Sequence, residues 1–195
     1  MTRHYENLIV IGSSAGGPRI LKMVFQGLPL INCAMVLVQH MPRFINQSLC
    51  NDLNQITDME VRLANTGDEL KTGVVYIAPA DYHLILNQNR FVELISSPKV
   101  NFVRPAVDVT MQSLAPLANG ILMGVILTGM GRDGADGLVH LKRIGATTIA
   151  QDEKTSIIYG MPKEAVATGC VDYILTPTQI QSKWVQVMSR LRKNG

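Results

Sequence analysis

The strongest sign of chemistry in the sequence is a serine set among glycines at residues 12–16, which fit the G-x-S-x-G pattern of a nucleophile elbow. The short apolar run 8–11 precedes it and Pro18 opens a helical pattern after it, so the serine stands between a buried strand and a helix. Flanking glycines let the backbone turn sharply and project the hydroxyl clear of the sheet. The pattern therefore predicts Ser14, and not Ser13, as the nucleophile.

Two other interpretations of this segment have a physical basis. A serine at this point can cap the N-terminus of the helix, and a glycine-rich turn before a helix can cradle the phosphate of a nucleotide. Residues 12–17 have neither the lysine of a P-loop nor the G-x-G-x-x-G spacing of a dinucleotide-binding fold. This weakens the nucleotide interpretation and leaves the capping serine as an alternative.

A serine nucleophile needs a base, and the best candidate is His40. Of the four histidines, it is the one that directly follows a predicted buried strand, residues 34–38. Since the carboxyl ends of parallel strands meet at one edge of a sheet, we expect His40 to lie close to Ser14. His4 in the N-terminal segment, His83 in a predicted hairpin strand and His140 on a predicted helix stand where histidines are ordinarily structural or exposed.

The base in turn needs an acid that fixes its tautomer, and Asp133 is the candidate because it follows the predicted strand 124–127 and a glycine-rich loop. Its place before a predicted helix suits an N-cap equally well, so position alone does not decide between the two roles. The order Ser, His, Asp differs from the Ser, Asp, His order of α/β-hydrolases. The two glycine-rich loops also suggest Ala15 and residues 129–131 as backbone donors to an oxyanion.

The elements that must position these residues alternate between strand and helix, which predicts an α/β fold. We expect a doubly wound, mostly parallel sheet with helices on both faces and a β-hairpin insertion near residues 74–95. Helical patterns cover residues 44–56, 105–117, 134–144 and 178–192, and in the last of these Trp184 is expected to be part of the core. The chain is expected to form a single domain, 1–195.

The composition excludes several classes of function. With 17% charged and 5% aromatic residues and a formal charge of +3 over 195 residues, the chain is neither disordered nor a nucleic-acid binder. Its apolar runs are too short for membrane insertion. The three cysteines form no CxxC pair, so we expect buried free thiols and a cytoplasmic location.

Taken together, the motifs resemble those of one known family, the catalytic domain of chemotaxis protein-glutamate methylesterases (CheB). The resemblance covers nearly the whole chain, and the matching segments, in order, are residues 10–18, 38–42, 104–108, 125–134, 150–153 and 160–162. It implies a catalytic triad of Ser14, His40 and Asp133, which favours the acid role for Asp133 over the cap.

The resemblance also implies a reaction and its partners. Such enzymes hydrolyse glutamate methyl esters on chemoreceptors and deamidate certain glutamines, through an acyl-enzyme and with no metal or organic cofactor. The expected partner is a methylated chemoreceptor cytoplasmic domain or another methylated signalling protein, with a separate receiver-domain protein as a second candidate. A receiver domain usually precedes the catalytic domain in this family, and none is expected in this chain. The alternative is a non-catalytic module that binds a peptide or nucleotide.

Overall fold

A single parallel sheet of seven strands forms the centre of the molecule. The structure, a computed structural model, describes residues 6–87, 89 and 91–189. The sheet has the order β3-β4-β2-β1-β7-β8-β9, and every neighbouring pair in it is parallel. Its strands are β1 (Leu8–Ser13), β2 (Ala34–Gln39), β3 (Glu60–Leu63), β4 (Val74–Ile77), β7 (Leu122–Ile126), β8 (Thr147–Gln151) and β9 (Tyr173–Leu175).

Helices cover both faces of this sheet. They are α1 (Gly17–Phe25), α2 (Asn46–Asn54), α3 (Val107–Gln112), α4 (Ala135–Arg143), α5 (Met161–Ala167) and α6 (Pro177–Ser189). One apolar core packs α1, α2 and α6 against one face, and a second core packs α3, α4 and α5 against the other. Strands β1 and β2 are buried along their whole length, which explains why they are continuous apolar runs. The predicted doubly wound α/β fold is confirmed.

The direction of winding changes between β1 and β7. From β1 the chain moves outward through β2 to β3 and β4, and it then returns to build β7, β8 and β9 on the other side. The helices that follow β1 and β7 therefore lie on opposite faces of the sheet. In an open α/β sheet such a reversal opens a crevice at the carboxyl ends of the strands. The loops that carry Ser14, His40 and Asp133 all begin at this end.

The predicted hairpin insertion is present with narrower bounds. It consists of β5 (His83–Leu86) and β6 (Val92–Ile95), which pair antiparallel and form a separate two-stranded sheet. Val74–Ile77, expected to be part of the insertion, is β4 of the main sheet. The run Val-Val-Tyr-Ile is fully buried, as a strand covered on both faces must be, and the tight turns that follow it made it look like part of the hairpin.

Several predicted helix bounds were too wide. The pattern at 44–56 divides into a 3₁₀ turn, Arg43–Ile45, and α2; the helix expected up to residue 117 ends at Gln112. Two elements, β3 and α5, were not predicted, because β3 is a partly exposed edge strand and α5 has only 7 residues. Trp184 is fully buried, as predicted. Residues 190–192 of the last predicted helix lie outside the described residues.

The cysteines are free, and burial raises the pKa of the Cys33 thiol to about 12 and that of Cys50 to about 11. Cys170 differs from the expectation because it is only half-buried. Across the described ranges, the structure contains no helix that is both long and apolar enough to span a membrane.

Candidate active site

Ser14 and His40 lie side by side because β1 and β2 end together. The last paired residues of the two strands are Ser13 and Gln39, so Ser14 and His40 are each the next residue along neighbouring strands about 5 Å apart. The His40 N–H donates to the Ser13 carbonyl at 3.0 Å and continues the ladder. No atom of the described chain hydrogen-bonds the Ser14 hydroxyl, which is half-buried.

His40 is bound to Asp133 through one ring nitrogen. Its Nε2 lies 2.8 Å from Asp133 Oδ2, and its side chain is only 11% exposed. The other ring nitrogen, Nδ1, has no hydrogen-bond partner among residues 6–87, 89 and 91–189. The hydrogen bond to Asp133 thus fixes the imidazole through Nε2 and leaves Nδ1 available for another partner.

The Asp133 carboxylate is almost fully buried and accepts four hydrogen bonds. Oδ2 accepts from His40 Nε2 at 2.8 Å and from the Val107 N–H at 2.7 Å; Oδ1 accepts from Asn101 Nδ2 at 3.0 Å and from the Asp108 N–H at 3.1 Å. Burial acts to raise the pKa of Asp133, but the bonds from His40 and the two backbone donors outweigh it, so the pKa is lowered. The carboxylate is therefore held in its ionised form.

Asp133 does act as a cap, but not of its own helix. The residue before α4 is Gly134, and the Asp133 carboxylate binds the first turn of α3 instead. Asp108, on α3, caps α4 in exchange: its Oδ1 accepts from the N–H of Gly134 at 2.9 Å and of Gly137 at 2.6 Å. Asp133 is thus not the N-cap of α4, the alternative role considered from the sequence. The exchange of caps between Asp133 and Asp108 could not be read from the sequence.

A second residue that sequence reasoning missed is Gln39, which links the nucleophile loop to the base. Its buried amide accepts from the Ser13 hydroxyl at 2.6 Å and donates to the carbonyls of Ser14 at 2.9 Å and His40 at 2.7 Å. Ser13 is therefore buried and engaged, consistent with the choice of Ser14. The signal in the sequence was a polar residue at the last position of an otherwise apolar buried strand.

The loop after β7 closes the site on the other side of Ser14. The Ser14 N–H donates to the Thr128 carbonyl at 3.0 Å, and the Gly129 N–H donates to the Ile158 carbonyl at 3.0 Å, so neither is free. A Cβ on Gly129 would lie 2.8 Å from the Ser14 Cβ, which explains why glycine is needed there. Within the described residues, the N–H groups of Ala15, Met130 and Gly131 have no acceptor. The Gly129 N–H, which the sequence suggested as an oxyanion donor, is therefore not available for that role.

Large exposed apolar side chains occur in three of the segments that carry site residues. The three most exposed ones of the described chain are Phe102 at 95%, Phe44 at 84% and Met130 at 77%. Phe102 follows Asn101, which binds Asp133; Phe44 is in the 3₁₀ turn after His40; Met130 is in the loop after β7. Such exposure of apolar surface is costly, and its occurrence in three segments next to the triad residues is typical of a surface used for contact.

The remaining histidines have structural partners. His83 is buried, with Nε2 3.0 Å from the Pro98 carbonyl and Nδ1 accepting from the Ala106 N–H at 3.1 Å. His140 Nε2 is 2.9 Å from the Leu114 carbonyl. His4 lies outside the described residues. No group of three or more potential metal ligands occurs in the described ranges.

Comparison with known proteins gives a consistent result. The family model described as CheB methylesterase matches residues 9–184. Similar curated proteins include protein-glutamate methylesterase/protein-glutamine glutaminase 2 of Rhodospirillum rubrum, 44% identical over 90% of this chain and 49% of that protein. The protein-glutamate methylesterase/protein-glutamine glutaminase of Thermotoga maritima is 42% identical over 93% of this chain and 54% of that protein.

A solved structure extends the similarity to three dimensions. The crystal structure of the Thermotoga maritima CheB methylesterase catalytic domain superimposes with a TM-score of 0.87 at 43% identity. The match covers 93% of this chain and 98% of that domain. The chain thus matches nearly the full length of that solved domain and spans about half the length of the curated relatives.

Proposed function

The chain belongs to the CheB methylesterase family, and from this membership we propose that it hydrolyses glutamate γ-methyl esters on a chemoreceptor or a related signalling protein. Ser14 is the nucleophile, His40 the general base and Asp133 the acid of the triad. The names of the relatives, which pair methylesterase with glutaminase, support deamidation of glutamine side chains as a second reaction. A separate receiver-domain protein is a candidate regulator.

The observation that carries this proposal is that the three residues follow β1, β2 and β7 at one edge of the sheet, where His40 is bonded to Asp133. His40 Nε2 is bonded to the buried Asp133 carboxylate at 2.8 Å, and Ser14 is the neighbour of His40 across β1 and β2. A neutral imidazole that donates from Nε2 keeps a lone pair on Nδ1, the nitrogen left to accept a proton from Ser14. The ring is thus used in the opposite sense from the chymotrypsin-type triad, in which Nε2 serves the serine.

The reaction follows from these roles. Ser14 Oγ attacks the side-chain acyl carbon while His40 Nδ1 takes the hydroxyl proton. The bond to the methoxy oxygen then breaks, and methanol leaves with the proton returned by His40. Water attacks the acyl-enzyme, gives a proton to His40, and the C–Oγ bond breaks to release glutamate and restore the Ser14 hydroxyl. Deamidation uses the same steps, with ammonia as the leaving group.

Two features of the site stabilise the charges that develop. The Asp133 carboxylate, ionised and held by four donors, stabilises the imidazolium form of His40. The candidate donors to the oxyanion are the N–H groups of Ala15, Met130 and Gly131, which have no acceptor among the described residues, whereas those of Ser14 and Gly129 do.

The exposed apolar side chains around the site support a protein substrate over a small ester. Phe102, Phe44 and Met130 are more exposed than any other large apolar side chain of the described chain. They would bury their surface when the segment that carries the methyl ester docks. A small ester would leave most of that surface in water.

The test is release of methanol from a receptor cytoplasmic domain labelled at its glutamate methyl esters. The wild-type protein is expected to release label, and a Ser14→Ala variant to lose at least about 1,000-fold in rate, because removal of a triad nucleophile leaves only binding and oxyanion stabilisation. Ser182→Ala is the matched control, because this serine is exposed on α6 and bonds only within its helix. Equal release by wild type and Ser14→Ala would overturn the proposal and favour a binding module.

A further inference from the structure

Asp133 and Asp108 form a close pair of buried carboxylates. Each is only 3% exposed; Asp133 caps the helix that carries Asp108, and Asp108 caps the helix that follows Asp133. Two carboxylates so close repel each other when both are ionised. In agreement, the pKa of Asp108 is raised by burial and, more weakly, by the charge of Asp133, although the bond from the Gly137 N–H acts against this.

One side chain bridges the pair. Asn101 Nδ2 donates to Asp108 Oδ2 at 2.7 Å and to Asp133 Oδ1 at 3.0 Å. An amide nitrogen carries two protons, so each carboxylate can receive one of them. Asn101 therefore places two partially positive N–H protons between two carboxylates, and its side chain adds no net charge.

The backbone explains why the bridging residue is an asparagine. Asn101 is the first central residue of a two-residue turn closed by mutual hydrogen bonds between Val100 and Val103, and its φ is +52°. Asparagine is one of the few residues with a side chain that tolerates this left-handed region. Glycine tolerates it but has no amide, and aspartate tolerates it but has no donor, so asparagine meets both requirements.

The bridge also completes the coordination of Asp133. With Asn101 and the Asp108 N–H on Oδ1, and with the Val107 N–H and His40 on Oδ2, all four acceptor positions of the carboxylate are filled. Of these donors, only Asn101 and His40 are side chains. A rotation of the carboxylate would break the bond to Asn101, so the bond to Asn101 helps fix Oδ2 towards His40.

We propose that Asn101 is a positioning residue of the triad, which bridges Asp108 and Asp133 so that Asp133 stays ionised and directed at His40. This rests on the proposed function of the site. Asn101 acts through Asp133 and does not contact the reacting atoms. The other ionisable groups near the pair are His40, Arg132 and Asp136; Arg132 and Asp136 neutralise each other through an ion pair with two hydrogen bonds of 2.9 Å.

Two variants test the bridge. Asn101→Gly keeps a residue that accepts the positive φ and removes the amide; Asn101→Asp keeps the shape and replaces the donor with a third carboxylate. We expect both to lower kcat for Ser14-dependent methanol release by about 10- to 100-fold with KM little changed, since a misplaced catalytic group has effects of this size. Asn101→Asp is expected to be the more severe. The matched control is Asn65→Gly, at an exposed turn near the β3 edge of the sheet, which should behave as wild type.

The readout that separates positioning from simple loss of structure is the pH dependence. Loss of a donor, or gain of a negative charge, makes protonation of the cluster easier, so the acid limb of the kcat profile should move to higher pH in both variants. The titration of ¹³C-labelled aspartate carboxyls, followed by NMR, should move in the same direction. A fall in kcat without either shift would mean that Asn101 is only structural and would overturn the proposal, as would unchanged kcat.

The NMR titration also separates this proposal from the proposed function. If Ser14→Ala releases methanol as fast as wild type, the hydrolase proposal fails. The Asn101 bridge is then decided by the aspartate titration together with the His40 ring Nε2–H signal, which reports the bond to Asp133. Both signals unchanged in Asn101→Gly would overturn the bridge; both changed would support it independently of activity.

Discussion

At the scale of single residues, the site depends on polar side chains buried at strand and helix ends. The Gln39 amide hydrogen-bonds one hydroxyl and two carbonyls, and the Asp133 carboxylate accepts hydrogen bonds from four donors. Buried polar groups with complete hydrogen bonding have one preferred orientation, because any other leaves a group unsatisfied at about 1–3 kcal/mol. The triad is therefore preorganised by neighbours that take no part in the reaction.

A prediction at this scale concerns acid stability. The pKa of Asp133 is lowered in the folded protein, so its ionised form stabilises the fold above the usual carboxyl pKa of about 3.9, and this contribution is lost as pH falls through the lowered value. The difference in unfolding free energy between wild type and Asp133→Asn should thus shrink as pH falls below about 4. Urea denaturation at several pH values measures it.

Asp108→Asn provides the contrast to this prediction. The pKa of Asp108 is raised, so its contribution to stability is present below the usual carboxyl pKa and is lost as pH rises through the raised value. Wild type should therefore lose stability relative to Asp108→Asn as pH rises. If the two variants gave slopes of the same sign, the assignment of opposite shifts to the two carboxylates would be wrong.

At the scale of elements, the turn at Asn101 and Phe102 has a strained backbone and carries an exposed apolar side chain. Phe102 has a φ of +66°, where glycine is preferred, and it is the most exposed large apolar side chain of the described chain. A bulky residue held in this region is strained by roughly 1 kcal/mol. Phe102 combines backbone strain with exposed apolar surface beside the candidate active site. We therefore expect its side chain to contact the substrate.

Phe102→Gly should accordingly have two opposite effects. We expect the unfolding free energy to rise by roughly 0.5–1 kcal/mol because the strain is relieved, offset in part by the greater freedom of the unfolded chain. The KM for a methylated receptor domain should rise several-fold with little change in kcat, because only contact with the protein substrate is lost. Urea denaturation and methanol release measure the two effects. A more stable variant with unchanged KM would show that Phe102 does not contact substrate.

At the scale of the whole molecule, the Asp133 cluster and one of the two apolar cores lie on opposite faces of the sheet. Trp184 of α6 packs edge-on against Phe25 of α1, with ring centroids 5.9 Å apart, in the core on the α1, α2 and α6 face. The Asp133, Asp108 and Asn101 cluster involves α3 and α4, on the other face. The sheet lies between them.

Trp184→Leu should therefore reduce stability without altering the chemistry. The smaller side chain leaves a cavity, although it also removes the indole N–H, which has no partner in the described structure. We expect a loss of about 2–3 kcal/mol in unfolding free energy and a kcat equal to wild type at low temperature. Thermal denaturation and methanol release at about 15 °C measure the two. A large fall in kcat of the folded variant would show that the two faces are coupled.

From the sequence alone we could predict the alternation of strands and helices and choose Ser14, His40 and Asp133 as the candidates. It could do so because buried parallel strands are continuous apolar runs, and because residues that directly follow such strands must meet at one edge of the sheet. Glycines around Ser14 added a local conformational signal that depends on no distant contact.

The polar groups that support those candidates could be identified only from the contacts of the folded chain. The exchange of caps between Asp133 and Asp108 joins residues 25 and 26 positions apart, and Asn101 reaches Asp133 across 32 positions. The assignment of β4 to the main sheet likewise depended on its pairing with β2 and β3. Contacts between residues far apart in the chain leave no periodic or local pattern, because they arise only when the fold brings their elements together.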